Sequence, residues 1–120
     1  MSDYSLDTTL LSDVIYVLNR FGQPRVKVQV AYNGTLYPIT KIRNKGSCFD
    51  IITDNKIPLS KSPTTLGFLQ MIHDSDKTRE DETFKTNLPV SVILTAGLRK
   101  VKATITELSI TNTIVLKTVG

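Results

Sequence analysis

One pattern occurs twice along the chain, and it restricts the possible folds more than any other feature. The stretches QPRVKVQVAYNGTLYPITKI and LPVSVILTAGLRKVKATITEL each contain a proline, a valine-rich alternating run, a turn at a glycine and a closing Ile-Thr segment. Pro24 matches Pro89, and the segment that begins at Ile39 matches the one that begins at Ile105. The pattern predicts one structural unit that is present twice.

A helix is predicted before each copy of the pattern. Leu11, Val14 and Leu18 recur at helical spacing and form one apolar stripe. The second helix is expected to begin at Ser62 and Pro63, because serine caps a helix N-terminus and proline suits the first helical position. The predicted apolar stripe of this second helix is Leu66, Leu69 and Ile72.

Three strands are predicted after each helix. In RVKVQV the valines alternate with polar residues, which is typical of a half-buried strand. Asn33-Gly34 predicts a tight hairpin, because both residue types tolerate a positive φ. Pro38 cannot donate a ladder hydrogen bond, so its strand is expected to be an edge strand or to contain a bulge.

These elements predict an α+β fold: a single domain over residues 1–120, built from two αβββ repeats with mainly antiparallel strands. Repeat one covers about residues 6–53 and repeat two about 62–119. One helix on three short strands buries too little surface to be stable alone, so the two repeats are expected to share a core. The charged, apolar-poor run at 74–86 is expected to be a mobile loop.

Residue types that carry catalysis or bind metal ions are sparse. His73 is the only histidine and Cys48 the only cysteine, so neither belongs to a spaced zinc ligand set. The six glycines are isolated and form no phosphate-binding loop. The sequence therefore predicts a protein that is not an enzyme, with no catalytic residue, no metal ion and no cofactor.

Basic residues are the remaining signal for a ligand. The formal net charge is +4, and it is spread evenly: residues 1–60 hold seven Lys/Arg and five Asp/Glu, and residues 61–120 hold eight and six. The competing interpretation is a solvated sheet face whose lysines protect strand edges from aggregation. The predicted ligand-binding residues are Arg25, Lys27, Lys41, Arg43, Arg99, Lys102 and the possible stacking platform Tyr37.

The segment TTLLSDVIYVLNRFGQPRVKVQVAYNGTLYPITKI resembles short accessory proteins of bacteriophages. In these, a helix leads through a proline into a VxVxV strand, a glycine hairpin and an IxxI strand. The resemblance implies a phage-encoded or mobile-element protein that binds a host component. The charged loop and the doubling depart from the simple pattern.

Together these features predict a non-enzymatic binding protein of the host cytoplasm, a phage accessory or counter-defence protein that blocks a host protein. One alternative is a binder or sponge of an anionic ligand, nucleic acid or a small nucleotide, in a basic cleft. Another is a virion structural component, which needs an exposed assembly edge. A homo-oligomer is compatible with each of these. No membrane partner is expected, because no apolar run approaches the roughly 18 residues of a membrane span.

Overall fold

Six strands close into a barrel in the computed structural model, which describes residues 2–5, 10–75 and 88–119. A seventh described strand lies outside this ring and pairs with the end of one barrel strand. The arrangement is α+β in one domain, as the sequence predicts. The elements in chain order are β1 (Ser2–Ser5), α1 (Leu11–Phe21), β2 (Val28–Tyr32), β3 (Thr35–Asn44), β4 (Phe49–Thr53), a short helical turn (Leu59–Lys61), α2 (Thr65–Asp74), β5 (Val90–Ala96), β6 (Arg99–Ile110) and β7 (Ile114–Val119).

The strands follow one another around the barrel in chain order. Four contacts are antiparallel, β2–β3, β3–β4, β5–β6 and β6–β7, which agrees with the expected strand direction. Two contacts are parallel, β4–β5 and β2–β7, and these close the ring. Strand β6 is long enough to pair with β5 along its first half and with both β7 and β1 along its second half. Neither the closure of the ring nor β1 is predicted from the sequence.

The barrel interior is filled by the inward-facing side chains of the alternating strands. Val28, Val30 and Val92 are fully buried, as the alternation predicts. Val26 is only partly buried, because it precedes the first residue of β2. The helices add Leu11, Val14, Leu18, Phe68 and Ile72 to the same core.

Helix α2 begins later than predicted, and its predicted stripe is confirmed in part. Its N-cap is Thr64, whose hydroxyl accepts a hydrogen bond of 3.1 Å from the backbone N–H of Gly67. Ser62 instead ends the preceding helical turn. Ile72 is buried and Leu69 packs against the core, as predicted, whereas Leu66 is 63% exposed and Phe68 is buried in its place.

Three further expectations concern turns and loops. Asn33 and Gly34 have φ values of 50° and 77°, which confirms the hairpin. Pro38 pairs with Gln29 of β2 and has no strand partner on its other side, because the pairing of β3 with β4 begins at Ile39. The register shift between Ile39 and Lys41 puts a bulge directly after it. Of the predicted mobile loop, residues 74 and 75 belong to the end of α2 and its cap, and residues 76–86 lie outside the described residues.

Candidate functional site

A groove crosses the outer face of strands β3, β4, β5 and β6. Lys41 pairs with Ile52, Ile52 pairs with Ile93, and Ile93 pairs with Lys102. Directly paired residues project from the same face of a sheet, so these four side chains form one row. Neighbouring strands are about 4.8 Å apart, so the two lysines are attached roughly 14 Å apart along the curved sheet. The row therefore has a cation at each end and isoleucine side chains in its floor.

Further basic side chains surround this floor. Arg43 and Lys45 extend the β3 side of the groove, and Lys100 extends the β6 side opposite Thr95. The groove has a volume of about 330 Å³. The basic side chains are exposed, whereas Ile52 and Ile93 are half-buried, so the charges stand above an apolar floor.

One carboxylate lies among these cations. Asp50 is only 3% exposed, and its Oδ2 lies 2.9 Å from Nζ of Lys45. A buried carboxylate is costly unless it is paired, so the ion pair stabilises Asp50 in this position. The pair also directs the Lys45 side chain over the floor of the groove and partly neutralises it.

The other cations of the groove lack such a partner. Within the described residues, no carboxylate lies at ion-pair distance from Lys41, Arg43, Lys100 or Lys102. Five basic residues and one acidic residue give this surface a formal charge equal to the net charge of the whole chain, +4. The groove surface is therefore positively charged.

The register places these basic residues on strand segments that pair on one side only. Residues 39–44 of β3 pair with β4 alone, and residues 99–103 of β6 pair with β5 alone. Charges on such segments also discourage pairing with another chain, so the two interpretations of the lysines, edge protection and ligand binding, apply to the same residues.

The remaining predicted residues lie elsewhere. Arg25 is exposed in a turn before β2, and Lys27 is half-buried with its Nζ donating to the carbonyl of Ser60. Arg99 and Tyr37 line a cup at the mouth of the barrel. The structure thus brings together Lys41, Arg43 and Lys102 of the predicted set and separates the others.

Several groove residues were missing from the predicted set. Lys45 continues the alternate spacing of Lys41 and Arg43, and Lys100 lies two positions before Lys102. The sequence therefore puts both in the same basic clusters, although the predicted ligand-binding set leaves them out. No sequence pattern predicts that Ile52 and Ile93 form the floor of the groove, because these residues are brought together only by the parallel pairing of β4 with β5.

The described residues contain no group of three or more His, Cys, Asp or Glu side chains that could hold a metal ion. His73 is exposed and lies beside Asp74 at the end of α2. Within the same residues, neither helix has the length and apolar character needed to cross a membrane.

Comparison of the chain with protein-family models, with curated proteins and with solved structures finds no match.

Proposed function

We propose that this chain is a non-enzymatic binding protein that holds an anionic ligand, a nucleic acid or nucleotide, in the basic groove. The observation that carries the proposal is a group of cations without a carboxylate partner among the described residues: Arg43, Lys100 and Lys102 line the groove, and Lys41 lies beside its floor through its pairing with Ile52. Uncompensated cations on a surface attract anions and raise their local concentration.

The form of the groove indicates more than a single small anion. Its cations stand on two sides that are separated by two strands. A ligand with several phosphates can contact both sides and release counterions at each. The half-buried Ile52 and Ile93 add a contact surface for the sugar or base of such a ligand.

The test is a titration of labelled single-stranded and double-stranded oligonucleotides, and of nucleotides, at two salt concentrations. We expect a dissociation constant below about 100 μM at low salt, the weak end of ordinary non-specific binding, and a clear loss of affinity at the higher salt concentration. Absence of binding below that limit for every ligand refutes the proposal.

A second candidate function, binding to another protein, is supported by an apolar depression between α1 and α2. It has a volume of about 250 Å³ and is lined by Leu18, Pro24, Leu66 and Leu69, among others. Leu66 is 63% exposed, which is unusual for a large apolar side chain beside a depression. A protein that is captured from a host lysate by the native chain, and lost with Leu66→Lys, would support this function.

The virion component is less well supported. Each strand from β2 to β7 has two partner strands, and the longest described segments that pair on one side only, which are β1, the two halves of β3 and the first half of β6, are each six residues long or shorter. The phage origin, the counter-defence role and the host location remain predictions from the sequence alone.

We also infer that the barrel consists of two αβββ repeats. Support comes first from the helix starts. The backbone N–H of Leu11 donates to the carbonyl of Leu88 at 2.9 Å, and that of Thr65 donates to the carbonyl of Val26 at 2.7 Å. Each helix is thus held by the residues just before the first strand of the other half.

Matching side-chain contacts give further support. Thr53 Oγ1 donates to the carbonyl of Ile93, and Thr118 Oγ1 donates to the carbonyl of Ala31. Both threonines lie near the end of the third strand in their half, and both bond to the first strand of the other half. The bulges also correspond, since one lies between Ile39 and Lys41 and the other between Ile105 and Glu107.

A further inference from the structure

A cup opens at the mouth of the barrel, where the β2–β3 and β5–β6 hairpins end. Tyr32 is the last residue of β2, and Tyr37 pairs with Val30 in the adjacent ladder. Val30 is fully buried, and paired residues project from the same face, so Tyr37 points toward the barrel interior. From the other hairpin come Leu94, Ala96, Arg99 and Val101, and the cup has a volume of about 280 Å³.

The cup combines features that suit an aromatic ring with a nearby negative charge. Tyr32 and Tyr37 are half-buried, which leaves part of each side chain open to a ligand. Arg99 is exposed at the rim, and within the described residues no carboxylate lies at ion-pair distance from it. Leu94 is only 3% exposed and closes the cup from below. Aromatic side chains offer a stacking surface to any nucleobase.

The cup and the basic groove are neighbours. Successive residues of a strand project to opposite faces, so Arg99 belongs to the cup while Lys100 belongs to the groove. Val101 lines both. The two sites therefore meet at Val101 of β6.

We propose that the cup receives an unpaired nucleobase of a single-stranded nucleic acid whose phosphates lie in the groove, an inference that rests on the proposed function. A base in a duplex is stacked and paired, and its removal from the stack costs free energy. A single strand presents its bases without that cost. The arrangement therefore selects single strands over duplexes, with phosphate contacts in the groove and stacking in the cup.

The experiment compares a 15-nucleotide single strand, the duplex of the same sequence and a mononucleotide. Tyr37→Leu should weaken binding of the single strand by about five- to 150-fold, the range that corresponds to loss of stacking on one base. Binding of the duplex should change little. Tyr37→Phe keeps the aromatic ring and should retain most of the affinity. Tyr16→Leu, on the exposed face of α1, is the matched control and should have no effect.

A fluorescence measurement tests the same inference without a substitution in the cup, so it does not depend on whether Tyr37→Leu destabilises the protein. The chain has four tyrosines and no tryptophan. With Tyr4→Phe and Tyr16→Phe, only Tyr32 and Tyr37 remain as fluorophores. The single strand should quench their emission, after correction for its absorbance, and the duplex should not.

The outcomes separate this inference from the proposed function. Suppose that Arg43→Glu weakens binding of both oligonucleotides, but that neither Tyr37→Leu nor the fluorescence measurement distinguishes the single strand from the duplex. The groove then binds anions, and the cup does not bind a base. The inference is then wrong and the proposed function stands. If the mononucleotide binds as tightly as the strand, the cup serves a nucleotide and the single-strand proposal is overturned. If none of the three ligands binds, both proposals fail.

Discussion

Asp50 and Lys45 form an ion pair of 2.9 Å at the floor of a groove that is otherwise lined by cations. The carboxylate is almost completely buried, whereas the lysine is half exposed. Asp50 is the one acidic residue among the described residues of the groove. Its replacement by a neutral residue should therefore improve the binding of an anion.

Asp50→Asn should increase the affinity for an anionic ligand several-fold. The substitution removes one repulsive charge and releases Lys45 from its partner, so the attraction between the groove and a phosphate rises. Fluorescence anisotropy with a labelled oligonucleotide measures the change. Lys45→Gln is the matched variant, because it removes the cation and leaves Asp50 unpaired, and it should weaken binding. A tenfold loss of affinity in a folded Asp50→Asn protein would contradict this interpretation of the groove.

Leu18→Ala should lower the free energy of unfolding by about 2–5 kcal/mol, through lost transfer energy and the cavity that remains. Leu18 is 1% exposed on the inner face of α1. Leu66→Ala, at an exposed position of α2, should change stability by less than about 0.5 kcal/mol. Denaturant melts of both variants provide the measurement. A loss below half a kcal/mol at Leu18 would mean that the packed face of α1 was assigned incorrectly.

Thr53→Val and Thr118→Val should each cost about 1–2 kcal/mol, because each removes the hydroxyl that donates to a backbone carbonyl, of Ile93 or of Ala31, in the interior of the protein. Valine has nearly the shape of threonine, so packing changes little. If the barrel consists of two equivalent repeats, the two losses should be similar in denaturant melts. A full loss at one site with none at the other would argue against this equivalence.

Helix α1, most of the buried valines and the first hairpin are predictable from local sequence patterns. The groove is not, because its two sides come from different halves of the chain. Lys41 and Arg43 stand on β3, Lys100 and Lys102 stand on β6, and they meet only because β4 pairs in parallel with β5. Because the net charge is equal in the two halves of the sequence, the sequence alone does not predict that basic residues from both halves lie on one surface.

The same non-local contact changes the ranking of the candidate functions. From the sequence, an even charge distribution favoured a protein partner over a polyanion. In the folded chain, Lys41 from the first half and Lys102 from the second stand on one surface, and this favours the anionic ligand.

The buried face of helix α2 is also predicted only in part from the local sequence. The apolar residues on its two sides include Leu66 and Phe68, and only tertiary packing decides which of them is buried.

The central claim, that the groove binds a phosphate-bearing ligand, is tested most directly by the salt dependence of oligonucleotide binding in two charge-reversal variants. Arg43→Glu with Lys102→Glu changes the groove. Arg25→Glu with Lys61→Glu makes the same change in net charge at exposed positions outside it.

For the native chain with a single strand, the slope of log affinity against log salt should approach about −3, as expected for four phosphate contacts. The groove variant should bind at least tenfold more weakly with a slope about half as steep, while the control variant keeps most of its affinity and the full slope. Equal losses in the two variants, or a slope near zero in the native chain, would contradict the claim.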